Sequence, residues 1–389
     1  MYGLLLALIY IAFISLGLPD SLLGSGWVVM HTAFNVPISY MGIISMIISF
    51  GTIISSLFSD KITKKLGTRV VTVLSVFLTV LALFGFSFST KFWMLIVFAI
   101  PYGLGAGSID AALNNYIALH YKAKHMTWLH SFWGVGTIIS PFIMGYALTN
   151  SVWNTGYRTV GFIQLGIAIL LLLTLPVWKV NKSLVSLEDK PSVNIVSALK
   201  IKGVPFLLIG FFAYCAAEAT AMHWASTYFV QVKNIAKEQA STFASLFYIG
   251  ITTGRFISGF ITDKLGDRRM IRIGTSILFI GIICLLLPLD LPILALIAFI
   301  VIGFGCAPIY PCIIHSTPYN FGEENSGAII GIQIASAYVG STFIPPLFGL
   351  LGKLITFKIM PFYLLFFVAL MITMLELTFS ITSKRKLRK

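Results

Sequence analysis

Four carboxylates and one guanidinium interrupt long apolar runs in this chain: Asp20, Asp110, Glu218, Glu376 and Arg255. A charged side chain at the centre of a bilayer costs at least about 2.5–3.5 kcal/mol, so such residues face a cavity or a partner. Asp110 stands in "GAGSIDAALNNYIALHY", on one helix face with Gly107 at i−3 and Asn114 at i+4. No base follows on that helix before His120. Without a cationic partner, burial favours the protonated acid. A carboxyl that gains a proton from one compartment and loses it to the other is what a proton-coupled carrier needs. Protonated, it also donates a hydrogen bond to a substrate hydroxyl. The competing reading is a structural acid satisfied by Asn114 or by a neighbouring helix.

Asp20 follows Pro19 and, on a continuous helix, shares a face with Gly24, Trp27 and His31. A carboxylate two turns from an indole suits a sugar: the acid takes hydroxyls and the ring stacks on C–H faces. Asp20 either lines such a wall or sits at its outer mouth. His130, Trp133 and Thr137 form a stripe at helical spacing, either packing residues or ligands for the same solute. In the second half of the chain Tyr214 and Glu218 are i, i+4, with His223 and Trp224 just beyond. Tyr248, Thr252, Arg255 and Gly259 align on the next span. Glu218 and Arg255 read best as a neutralising pair, with solute binding as the alternative. Gln333, Ser336 and His315 are further polar candidates. Glu376 lies within two turns of a basic tail and can pair or snorkel there. The residues expected to meet the solute are therefore Asp20, Trp27, Asn114, His130, Trp133, Glu218, Trp224 and Gln333, with Asp110 and Asp20 as proton-coupling acids.

The elements that position these residues follow from composition. Of 389 residues, 58% are hydrophobic and 10% charged, with a mean hydropathy of +0.94. A soluble surface is about a quarter charged, so lipid must cover this chain. Apolar runs of roughly 20 residues, the length that spans a bilayer as helix, recur throughout. Cutting them at charge clusters and at Gly, Pro and Asn gives twelve expected spans, near 3–30, 39–59, 69–88, 92–118, 127–148, 159–178, 204–230, 240–262, 271–288, 292–316, 327–351 and 360–382. The opening run lacks a basic start and a clear cleavage site, so it reads as a retained helix. The expected fold is an all-α membrane protein of two six-helix bundles, residues 1–178 and 204–383. A linker at 179–203 joins them, and a basic tail, 384–389, follows.

Alternate loops carry Lys61, Lys64, Lys65, Arg69; Lys122, Lys124; Lys179, Lys182, Lys190, Lys200, Lys202; and Lys264, Arg268, Arg269, Arg272. The tail adds Lys384, Arg385, Lys386, Arg388 and Lys389. The opposite loops hold only Lys91, Arg158, Lys233, Lys237, Lys353 and Lys358. That bias puts both termini in the cytoplasm of a cell-membrane protein, where Asn181 in N-K-S escapes glycosylation. It also accounts for the net charge of +14 without nucleic acid. The four cysteines, Cys215, Cys284, Cys306 and Cys312, fit neither a disulfide framework nor a zinc site. No metal or cofactor is expected, and the coupling ion is expected to be H+.

The halves repeat. A shift of 199 places puts Gly51 on Gly250, Ser59 on Ser258 and Thr63 on Thr262, and Lys65, Leu66, Gly67 and Arg69 on Lys264, Leu265, Gly266 and Arg268. "GLGAG" from Gly103 echoes "GFGCA" from Gly303. The spacing Gly136-x4-Pro141-x3-Gly145 echoes Gly340-x4-Pro345-x3-Gly349. Parallel repeats suit a transporter that rocks two bundles about a central site.

"GFITDKLGDRR", Gly259 to Arg269, resembles the signature loop of the major facilitator superfamily, and "DKITKKLGTR" is its degenerate first-half counterpart. "GSIDAALNNY", "TWLHSFWGVGTIISP", "YCAAEATAMHWASTY", "GITTGRFISG" and "GFGCAPIYP" look most like the fucose–proton symporter branch. The resemblance implies alternating access by a monomer, with Asp20 and Asp110 at the positions of the branch's substrate-binding and proton-coupling acids. The characterised fucose carrier has Glu where this chain has Asp110, and its Gln and Asn align near His130 and Trp133. A shorter acid and a more aromatic wall point to another sugar-like polyol.

By pseudosymmetry, acidic Glu323 and Glu324 are expected to face Lys61, Lys64 and Lys65, while Asp263 and Asp267 face Lys122, Lys124 and the start of the fifth span. Asp263, Arg268, Lys64, Glu323 and Glu324 then form a cytoplasmic latch, or else solvated charge that contributes little. The rival function is drug/proton exchange. Its helix-5 Gly-Pro-x-x-Gly-Gly element is only partly met by "GTIISPFIMG", where Ser140 precedes Pro141. An enzyme is not expected: no His-Glu-x-x-His or Gly-x-Ser-x-Gly is present.

Overall fold

The computed structural model describes residues 2–178, 193–235, 237–287 and 292–387, which are helical without a strand. The linker residues 179–192 and the tail residues Arg388 and Lys389 lie outside the described residues. By its contacts the chain falls into two units. One is Met1–Tyr116 with Leu129–Val193, the other Ile117–Trp128 with Asn194–Lys389.

The first unit is built from α1 (Tyr2–Asp20), α2 (Leu22–Ala33), α3 (Met41–Leu66), α4 (Thr68–Phe88), most of α5 (Phe92–His120) and α6 (Ala123–Asn150), and α7 (Trp153–Leu173). Helix α4 packs along α7, and α1 lies against both. At one end Leu22, Trp27, Met30, Ile44, Leu83, Phe86, Met144 and Tyr157 form a closed apolar cluster. The opposite surface of these helices is equally apolar: Phe142 and Leu173 are 75% and 73% exposed. Exposed Phe and Leu at that density fit a lipid-facing wall.

The second unit holds α8 (Ile195–Leu199), α9 (Val204–Lys233), α10 (Lys237–Leu265), α11 (Asp267–Leu286), α12 (Pro292–Cys306), α13 (Ile309–His315), α14 (Thr317–Phe321), α15 (Glu323–Leu354) and α16 (Met360–Leu387). Helix α9 is central, packed on α10, α15 and α16. Part of the expected linker is the short helix α8, capped by Asn194, whose side chain accepts from the Val196 N–H.

Among the described residues eleven helical stretches are long and apolar enough to cross a membrane, against the twelve expected. The missing one is the expected span 240–262. It lies inside the 29-residue helix α10, Lys237–Leu265, whose opening side chains fall outside the described residues.

The repeat is visible in the backbone. Gly67, between α3 and α4, has φ 80° and ψ 147°; Gly266, between α10 and α11, has φ 79° and ψ 157°. Both lie in the region that L side chains rarely adopt, so each loop needs glycine at the matched position.

Candidate functional site

Two prolines prepare the first-unit site. Pro19 has no N–H to give Ser15, and Gln164 Nε2 supplies that carbonyl at 3.0 Å while also meeting Thr79 Oγ1 at 2.8 Å. Pro141 likewise frees the Thr137 carbonyl, and Ser21 Oγ donates to it at 2.8 Å. The helix breaks at Ser21, between α1 and α2, directly after Asp20. Helices α1 and α6 cross with almost no space: a Cβ on Gly17 would strike the Trp133 carbonyl, and one on Gly136 the Ile14 carbonyl.

That crossing places Asp20 against Trp133. Its Oδ2 accepts from Trp133 Nε1 at 2.9 Å, and its Oδ1 accepts from the Tyr102 hydroxyl at 2.6 Å. On α5, Asn114 Nδ2 donates to Asp110 Oδ1 at 2.7 Å and to the Asp110 carbonyl at 2.9 Å. The amide oxygen left over lies 3.1 Å from His130 Nε2. Since that oxygen only accepts, Nε2 carries the proton. Phe13 stands edge-on to the imidazole, with centroids 5.5 Å apart. Asp110, Asn114 and His130 are buried and Asp20 is exposed. The ion pairs among the described residues involve other acids.

Asp20, Trp133, Asp110, Asn114 and His130, all five expected from the sequence, thus lie in one unit, in two hydrogen-bonded groups: Asp20 with Trp133, and Asp110 with Asn114 and His130. Tyr102 was missed. Its signal was the polar ring in "AIPYGLGAG", one turn and a half before Gly107, and it is masked by the apolar run around it.

Trp27 is placed differently from expectation. Its Nε1 donates to the Ile38 carbonyl at 2.6 Å and its ring sits in the apolar cluster with Met30 and Met144. The expected shared face required one continuous helix, and the chain breaks at Ser21. The indole beside Asp20 is Trp133.

In the second unit Arg255 Nη2 meets Glu218 Oε1 at 3.3 Å, the neutralising pair. Tyr214 donates to the Cys306 carbonyl at 3.0 Å. Trp224 is not part of that group: it donates to the Pro345 carbonyl at 2.8 Å and packs on Gly349, Phe348 and Phe357. Gln333 is fully buried and accepts from Thr317 Oγ1 at 2.9 Å. His223 Nδ1 meets the Ala219 carbonyl, and Ser336 donates to the Leu208 carbonyl.

Among the expected latch residues, Asp263 accepts from the Lys124 backbone N–H at 3.1 Å, with Lys124 Nζ at 3.7 Å, within the second unit. Asp267 meets His315 at 2.8 Å rather than a lysine. Arg268 donates to Ser383, Thr382 and Asn320 and lies over Phe379, tying α11 to α14 and α16. Lys64 pairs with Asp60 on its own helix at 3.1 Å. Glu323 and Glu324 open α15, where the helix dipole favours acids. Glu376 forms a two-pronged pair with Arg272, each contact 2.7 Å.

The profile of the Major Facilitator Superfamily matches residues 9–345 and 233–389. The chain belongs to the Major Facilitator Superfamily. The Glucose/mannose transporter GlcP of Bacillus subtilis is 24% identical over 286 residues, covering 71% of this chain and 69% of that protein. Bypass of stop codon protein 6 of Saccharomyces cerevisiae is 22% identical over 285 residues, covering 65% of this chain. This chain spans 56% of the yeast protein's length. Among solved structures, the E. coli fucose:proton symporter FucP superposes with a TM-score of 0.79 at 16% identity, over 96% of this chain and 98% of FucP. The proton:xylose symporter XylE gives 0.77 at 13% identity, over 97% and 95%. The profile match places the chain among multi-pass membrane transporters, and these solved structures share its fold.

Proposed function

We propose that this Major Facilitator transporter is a proton-coupled importer of a small hydroxylated solute of the monosaccharide class, working by alternating access. One observation carries the reading: two carboxylates, Asp20 and Asp110, sit within one helical unit with neutral donors rather than cations as partners. A carboxylate held by Tyr102 and Trp133 has fixed geometry and keeps lone pairs for solute hydroxyls. Asp110, buried against an amide, is the group that takes and releases the proton, because among the described residues no ion pair holds it charged. His130 and Trp133 supply the ring faces and N–H groups of the solute wall. The kinship with GlcP, and the fold shared with FucP and XylE, support a sugar-like solute.

On this reading the chain has twelve spans, with α10 as the eighth despite Arg255. Six-helix halves, residues 1–178 and 204–383, are joined by the 179–203 linker. Both termini are cytoplasmic in the cell membrane, the working form is a monomer, and the coupling ion is H+. Labelled sugars screened in proteoliposomes with and without an imposed pH gradient test this. Gradient-driven uptake of at least one monosaccharide is expected. Extrusion of lipophilic cations with no sugar uptake sinks the proposal in favour of drug/proton exchange.

A further inference from the structure

His315, the last residue of α13, is held between two acceptors. Its Nδ1 lies 2.8 Å from Asp267 Oδ2 at the start of α11, and its Nε2 lies 3.1 Å from the Tyr121 carbonyl. Carboxylate and carbonyl oxygens only accept, whereas a neutral imidazole offers one N–H. The arrangement is complete only when both ring nitrogens carry protons. The other oxygen of Asp267 is buried without a hydrogen-bond partner, so a positive imidazolium also offsets a half-buried negative charge. Cys312 on α13 and Asp263 at the end of α10 face this pair, and His125, Lys122 and Lys124, on the segment that carries Tyr121, lie around Asp263.

The segment Ile117–Trp128 is the end of α5, the turn at Tyr121 and Lys122, and the start of α6; α5 carries Asp110 and Asn114, and α6 carries His130 and Trp133. Its remaining holds on the second unit do not need His315. Asp263 takes the Lys124 N–H, Trp128 Nε1 donates to the Phe256 carbonyl at 3.3 Å, and the Trp128 ring meets Phe260 edge-on.

We propose that His315 is a proton-operated clasp that, within the second unit, holds the Ile117–Trp128 segment on α11 and α13. With the proton present both contacts are made. When it leaves, Nδ1–H stays on the carboxylate and Nε2 turns a lone pair toward the Tyr121 carbonyl, which loosens the Tyr121 end of the segment while its contacts with α10 remain. Histidine is the side chain that ordinarily changes its charge between about pH 5 and 8.

Spin labels on Lys122→Cys and Arg269→Cys, both exposed positions, in a Cys284→Ser background report the distance in detergent, with no solute and no gradient. The readout is therefore separate from the transport reading. One short distance is expected at pH 5.5, and a longer component that grows at least about threefold by pH 8.5. His315→Gln and Asp267→Asn, made separately so that one folding failure does not decide the matter, are each expected to flatten this response. His125→Gln is expected to keep it. A wild-type distribution that ignores pH, or a His315→Gln protein that retains the full response, overturns the clasp.

Discussion

The Tyr102 hydroxyl donates to Asp20 Oδ1 at 2.6 Å, joining two helices across 82 positions of sequence. With Trp133 on the other oxygen, the carboxylate is aimed by two neutral donors and does not need a cation to hold it.

Removing one of those donors should loosen solute binding without unfolding the protein. A hydrogen bond to a charged group contributes about 1.5–3 kcal/mol. Tyr102→Phe is therefore expected to raise the KM for the transported sugar by roughly tenfold or more, with little change in melting temperature. Trp133→Phe, which keeps a ring but loses the N–H, should behave in the same direction. An unchanged KM in both variants would separate Asp20 from the solute.

Gln164 has a structural task. It satisfies the carbonyl that Pro19 leaves open and bridges α1, α4 and α7. Gln164→Leu strands that buried carbonyl, at a cost of about 1–3 kcal/mol. Detergent-solubilised protein should melt at a lower temperature, with the KM of whatever remains folded unaltered. A melting curve equal to wild type contradicts the assignment.

Glu218 and Arg255 test the neutralisation reading of the second unit. Glu218→Gln leaves a buried guanidinium uncompensated, and breaking such a pair costs about 3–5 kcal/mol. The double variant Glu218→Leu, Arg255→Met removes both charges and should recover monodisperse protein on size-exclusion chromatography. Failure of the double variant to recover would assign the pair a task beyond charge balance.

Much of this architecture was legible in the sequence. Apolar run length gave the helices, the 199-residue shift paired Gly67 with Gly266, and the i, i+4 spacing joined Asp110 to Asn114. Of the twelve expected spans, eleven stand out among the described residues, and the remaining one falls in α10, which is described only in part. Trp27 was misplaced because a helical face was extended through Ser21, where α1 gives way to α2. Tyr102 and Gln164 were invisible for another reason: each meets its partner across helices, and a single chain's periodicity carries no record of which helices cross. The close approach of Gly17 to Trp133 sets that crossing, and it is a fact of packing.

The central claim is that a proton rides on Asp110 during transport. Asp110→Asn, reconstituted in proteoliposomes, tests it most directly by comparing solute counterflow with accumulation under an inward pH gradient. The account predicts that counterflow persists, since an amide still fits beside Asn114, while gradient-driven accumulation is abolished. Full accumulation by Asp110→Asn would contradict it.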